Sequence, residues 1–320
     1  MPDLVPPKVA VLGAGDIGCG WAALAASRGW VVAIYDSDTG SLQRAQDNIA
    51  QRSKALVAMG HADEVTEQIG ISELRLGRSL LHSVTDADWI IEATADDLGT
   101  KQKVLEQVEQ VCRLKAVLTS STLTLLPSSL CGRLRRPDRM LVVHSLNPVE
   151  LLPAVEIVPS PLTDSACVED VRFWLTALGR VPIILKKEID GSVMGRISAA
   201  VWRECIHLVL EGVVDVIDVD TAVEMGPALG WAAGGPHLSN QLGPSDRDAG
   251  LLPKLISQHA ARWEKLANWH QLTSEEQHRL ARAIEKAYGN QLPQLRAARD
   301  TRLARLLNAL SEEEVSSEGA

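Results

Sequence analysis

His144 and Glu156 stand twelve residues apart in the segment HSLNPVELLPAVE, and this pair is the strongest lead to proton chemistry in the chain. A histidine side chain titrates near neutrality and can take or give a proton. A carboxylate on its second ring nitrogen fixes the tautomer and favours the charged ring. His144 follows the apolar run 140–143, which places it at the carboxyl end of an expected strand. Doubly wound sheets bind their ligands along that edge. On this evidence alone the residue also reads as an ordinary loop or packing histidine.

A second group concerns a nucleotide. The apolar run 9–12 leads directly into Gly13-Ala14-Gly15-Asp16-Ile17-Gly18, a GxGxxG turn that opens an expected helix. Gly13 permits the tight turn, Gly15 lets backbone approach a pyrophosphate, and Gly18 lets helix and strand pack closely. The free N–H groups and positive end of that helix suit phosphate. Asp36 ends the next apolar run, eighteen residues past Gly18, and the first arginine after it is Arg44. A carboxylate there accepts from both ribose hydroxyls and repels a 2′-phosphate, so the expected cofactor is NAD. The competing reading is a glycine turn in an α/β protein that binds nothing.

These groups need a scaffold. Short apolar runs at 9–12, 31–35, 89–93, 116–119, 140–143 and 181–185 read as buried strands of a parallel sheet, separated by helical pattern. The stretch 41–71 reads as helix broken near Gly60. Past Gly191 the strand signal ends. Met194, Ile197, Val201, Cys205 and Leu208 recur at helical spacing toward Gly212. Ser274 and Gln277 form a possible capping box for a later helix closed by Gly289. The expected fold class is α/β, with a Rossmann-like parallel-sheet domain over 1–188 and an all-helical domain over 189–320. Apolar residues make up 46% and charged residues 23%, as in soluble globular proteins. The net charge of −9 argues against nucleic acid or an anionic membrane as partner. Five scattered cysteines without a CxxC pair indicate neither a disulfide framework nor a metal site, and they fit a reducing cytoplasm. No signal peptide or membrane-spanning run is read in the sequence.

His144-x-x-Asn147-Pro148 with Glu156, together with Ala95-Asp96-Asp97-Leu98 and Lys101, resembles the L-3-hydroxyacyl-CoA dehydrogenase superfamily over essentially the whole chain. LNPVELLPAVEIV and WRECIHLVLEG look most like the branch holding carnitine dehydrogenase and the lambda-crystallin/L-gulonate dehydrogenases. The resemblance implies an NAD-dependent dehydrogenase of a small free 3-hydroxy acid, homodimeric through its helical domain. It makes His144 the general base and Glu156 its partner, and it carries Asp96, Lys101 and Asn147 over as cofactor contacts. The alternatives are a true 3-hydroxyacyl-CoA dehydrogenase and a crystallin-like protein that binds NAD without turnover.

Two positions depart from the family pattern. Leu123 stands where the family has serine, and Gly195, before Arg196, stands where it has asparagine or aspartate. Thr122, Thr124 or Arg196 are the candidates to replace the missing polar groups at the substrate. The glycine-rich segment 226–243 carries Trp231, read either as part of the substrate pocket or as a plain helix connection. Trp202 and Trp231 suggest an aromatic cage for a quaternary ammonium, against a simpler role in core packing.

Overall fold

The computed structural model describes residues 6–241 and 251–317. In chain order, β1 (Val9–Leu12), α1 (Asp16–Ser27), β2 (Val32–Tyr35), α2 (Thr39–Ala58), α3 (Glu64–Ser72), β3 (Arg75–Leu76) and α4 (Leu80–Val84) form the first half of a sheet domain. They are followed by β4 (Trp89–Glu92), α5 (Leu98–Glu109), β5 (Val117–Ser120), α6 (Pro127–Leu130), β6 (Met140–Ser145), β7 (Ala154–Pro159), α7 (Ser165–Ala177) and β8 (Val181–Ile184). The strand order is β3-β2-β1-β4-β5-β6-β7-β8, whose first six strands follow the Rossmann arrangement.

Successive side chains of a strand point to opposite faces, so a strand apolar at every position must be covered on both. Val9 and Val11 of β1 join one core cluster with Trp21, Trp89 and Ile49. Ala10 and Leu12 join a second cluster with Leu105, Leu118 and Val142 on the other face. The break expected near Gly60 lies between α2 and α3, with Gly60 at φ +78°.

Three expectations about the sheet require correction. It is not wholly parallel, because β7 runs antiparallel to β6. Residues 146–153 between them are too few for the crossover of a dozen or more that parallel neighbours require. Neither β7 nor the two-residue β3 was anticipated as a strand. Finally, β8 is not buried, and Val181 is 57% exposed at the sheet edge.

By internal contacts the chain divides into Met1–Gly195 with Arg299–Ala320, and Arg196–Ala298. This differs from the expected division at 188/189. The C-terminal segment belongs with the sheet because Leu303 packs on the first core cluster and Asn308 Nδ2 donates to Met59 O at 3.3 Å. Beyond β8 come α8 (Val193–Leu210), α9 (Val216–Val223), a π-type turn (Glu224–Ala228), α10 (Leu229–Gln241), α11 (Leu251–Trp263), α12 (Ser274–Tyr288) and α13 (Leu292–Ser317). The capping box of α12 is Thr273 with Glu276, one residue earlier than expected. A carboxylate at Glu276 is the stronger acceptor, and Gly289 ends the helix at φ +24°. Among the described residues no helix is long and apolar enough to cross a membrane.

Candidate active site

The glycine turn is built as its spacing requires. Gly13 lies at φ +109°, and a Cβ there would strike the carbonyl of Ala93. A Cβ at Gly18 would strike the carbonyl of Gly13, so helix and turn meet at backbone contact. Gly15 N-caps α1 without a side-chain cap, and no atom lies within 4 Å of where its Cβ would be. The first-turn N–H groups therefore border open space. A cavity of 570 Å³ lies there, lined by Gly13, Gly15, Asp36, Ser41 and Thr94 among others. Asp36 Oδ2 accepts from Ala14 N at 2.7 Å and Oδ1 from Asp38 N at 2.8 Å. Two backbone donors thus aim the carboxylate and leave lone pairs for ribose hydroxyls. Ile17 packs its side chain on the core, so only its backbone can serve the ligand. These residues fit a dinucleotide of the NAD type.

Asp16 sits at the helix end where the phosphates belong, yet it is not left as a bare anion. Arg52 on α2 reaches Asp16 Oδ1 at 2.8 Å and Glu150 at 3.0 and 3.2 Å. This bridge was absent from the sequence reading, because Arg52 looks like any exposed helix cation.

Lys101 and Asp96 do work other than expected. Lys101 is 1% exposed, and its Nζ donates to both Glu92 oxygens at 3.0 and 2.9 Å and to Thr94 O at 3.2 Å. All three ammonium protons are used within the chain, so Lys101 holds the cavity wall rather than touching the cofactor. Glu92 also accepts from Ser120 Oγ at 2.5 Å and from Thr94 N at 2.7 Å. The one signal for this buried carboxylate was an acidic residue closing the apolar run Trp89-Ile90-Ile91. Asp96 accepts the hydroxyls of Thr122 at 2.5 Å and Thr124 at 2.7 Å, clamping the loop after β4 to the turn after β5.

His144 lies inside β6 and Glu156 directly opposite it in β7. Nδ1 of His144 is 2.7 Å from Glu156 Oε2, and both side chains are buried. The other Glu156 oxygen accepts the N–H groups of Val193 and Met194, each at 2.8 Å. One carboxylate therefore orients the imidazole and caps α8. Burial pushes the Glu156 carboxyl up, but hydrogen bonds from His144, Met194 N–H and Ser192 outweigh it and leave the pKa below the usual value. With Nδ1 donating to Glu156, the ring keeps its lone pair on Nε2.

The turn after β5 has every hydroxyl engaged. Ser120 is on Glu92, Ser121 accepts from Trp21 Nε1 at 3.1 Å, and Thr122 and Thr124 are on Asp96. Thr122 is buried and also accepts the N–H groups of Thr124 and Leu125, which corrects its expected role as a substrate contact. Leu123 is the residue turned outward, 43% exposed. A Cβ on Gly195 would lie 2.7 Å from Leu123 Cδ1 and 3.1 Å from Ser192 Oγ. The two departures from the family pattern are thus one structural event, in which a leucine occupies the space that a side chain at 195 would need.

Asn147 is exposed just past β6, and its side chain makes no hydrogen bond among the described residues. Arg196 and Trp231 fall in the helical unit and are exposed there, Trp231 by 38%. Trp202 is 62% exposed, so the core-packing reading fails for both tryptophans among the described residues. Of the segment 226–243, Leu242 and Gly243 lie outside the described residues. Among the described residues no group of three or more His, Cys, Asp or Glu side chains is arranged to hold a metal ion.

A family model described as 3-hydroxyacyl-CoA dehydrogenase, NAD binding domain, matches residues 8–189. L-Carnitine dehydrogenase of Bacillus cereus is 30% identical over 307 residues, covering 95% of this chain and 93% of its own length. A solved 3-hydroxyacyl-CoA dehydrogenase from Archaeoglobus fulgidus superposes with a TM-score of 0.65 at 27% identity, over 94% of this chain and 99% of that one. The solved 5-formyl-3-hydroxy-2-methylpyridine 4-carboxylic acid 5-dehydrogenase gives a TM-score of 0.84 at 24% identity, over 96% and 99%, and shares the fold. With the glycine turn, the aimed Asp36 and these matches together, the chain belongs to the 3-hydroxyacyl-CoA dehydrogenase family and takes NAD as its cofactor.

Proposed function

We propose that this protein is an NAD-dependent dehydrogenase of a small free 3-hydroxy acid of the carnitine or gulonate type, with His144 as general base. The observation that carries the reading is the 2.7 Å contact of His144 Nδ1 with Glu156, which leaves Nε2 to accept a proton. NAD, when bound, supplies the hydride acceptor. His144 Nε2 takes the hydroxyl proton as the substrate carbon loses its hydride, and the Glu156 carboxylate offsets the charge that forms on the ring. Gly13, Gly15 and the first turn of α1 would hold the pyrophosphate, Asp36 would hold the adenosine ribose, and Asn147, at the end of β6, would be a further cofactor contact. The L-carnitine dehydrogenase relative, matched over 93% of its length, supports a free acid over a thioester. Arg196 and Trp231 are the substrate contacts we assign to the helical unit.

The test is NADH formation with free 3-hydroxy acids, L-carnitine among them, beside 3-hydroxybutyryl-CoA. Turnover is expected with a free acid. A strong preference for the thioester overturns the substrate assignment, and full activity of His144→Ala overturns the assignment of the base. The reading also includes a homodimer, supported by the exposed apolar face of α8 at Val193 and Ile197, and a cytoplasmic location, supported by five free cysteines.

A further inference from the structure

Behind the loop that follows β6, the sheet domain contains a cavity of 340 Å³ that the proposed dehydrogenase chemistry does not use. Its polar lining is Arg180, His61 and Glu150. The Arg28 guanidinium lies just behind the lining residue Gly179, with Nη2 3.0 Å from where a Cβ of Gly179 would be. Its apolar lining includes Leu151 and Leu310.

The hydrogen bonding of these nitrogen groups is incomplete. Arg28 Nε, His61 Nε2 and Arg180 Nε are all buried without a partner among the described residues. Arg180 is 8% exposed, and its Nη1 is spent on the carbonyls of Val149, Glu150 and Leu152 at 3.5, 3.2 and 3.3 Å. Glu150, which also lines the cavity, is already held by Arg52 at 3.0 Å. Burial, then the charge of Arg28, push Arg180 down to about 10 against a smaller opposing pull from Glu150. Burial, then Arg180 and Arg28, push His61 down as well. Lys101, by contrast, is paired at 2.9 Å with the buried Glu92 carboxylate. Two desolvated guanidiniums beside one space, with Glu150 the one carboxylate in its lining and already shared with Arg52, favour an added anion, and a neutral His61 can still donate to it.

We propose that this cavity binds a small organic carboxylate, its head held by Arg28, Arg180 and His61 and its hydrocarbon body laid on Leu151 and Leu310. A carboxylate matches the planar guanidinium fork in a way a point charge does not. Inorganic phosphate has the charge but would leave the leucine wall wet. The site stands apart from the His144–Glu156 pair and does not depend on the substrate assigned to it.

The experiment is calorimetric titration of the full chain without NAD, using benzoate, butyrate, formate and inorganic phosphate at matched ionic strength. Saturable binding of benzoate or butyrate is expected, and Arg28→Gln should weaken it at least about ten-fold, the loss of one hydrogen bond to a charged group. The Arg28 guanidinium donates to no described residue, so this variant keeps the fold, which circular dichroism checks. Arg180→Gln should weaken binding likewise, and Leu310→Gln should weaken benzoate more than formate. Benzoate binding that survives Arg28→Gln lies at another site and overturns the proposal. So does an absence of saturable carboxylate binding, or phosphate binding tighter than benzoate.

Discussion

Removing the imidazole at position 144 should leave cofactor affinity intact while turnover collapses. His144→Ala is expected to lower kcat/KM by about 10²–10⁴ with NADH binding, read by fluorescence titration, unchanged. Lys101→Met tests a different kind of residue. It strands the buried Glu92 charge and should cost about 3–5 kcal/mol of stability in denaturant unfolding. Leu123 and Gly195 call for a paired test. Gly195→Ala alone must push aside Leu123 Cδ1, the tip of an exposed side chain, which should offset part of the roughly 1 kcal/mol that alanine gains over glycine inside α8, while adding Leu123→Ala should release the full gain. An additive double variant would dissolve the interlock. Both positions stood out in the sequence as departures, but they are 72 residues apart and nothing local tells of their contact. Thr122 misled for a related reason, since a threonine beside a site reads as a free hydroxyl until its acceptor, Asp96, is seen.

Helix α8 depends on a carboxylate from a strand. Glu156 caps its first turn, and its pKa lies below that of an unfolded-state glutamate. A depressed carboxyl contributes stability above the ordinary value of about 4.3 and loses it as pH falls through the lower folded value. The melting-temperature gap between wild type and Glu156→Gln should therefore hold from neutrality to about pH 5 and close in stronger acid. A gap unchanged down to pH 3 would count against the cap. Six of the eight strands were legible within two residues of their observed bounds, because apolar runs between helices have few other uses. β7 was not read as a strand, and its direction was hidden in the length of the connection before it. β3, two residues long, is below what periodicity can register.

The sheet domain is closed by residues from the far end of the chain. Leu303 packs on the first core cluster and Ala304 is buried, so ending the chain at residue 298 should expose that face. A loss of about 2–5 kcal/mol is expected, seen as a fall of several degrees in Tm, with the NAD site still formed. Boundaries of this kind escape a linear reading, because a helical pattern does not say which body it docks on. The antiparallel pairing of β6 with β7 also bears on how this family can diverge. Side chains directly opposite each other share a face of the sheet, and strand periodicity is two. One residue inserted in β7 before Glu156 would therefore turn its carboxylate to the far side of the sheet. Residues 146–153 carry no such parity. Evolution can lengthen or recut that rim, altering what enters the site, while the imidazole and its carboxylate beneath keep the same aim.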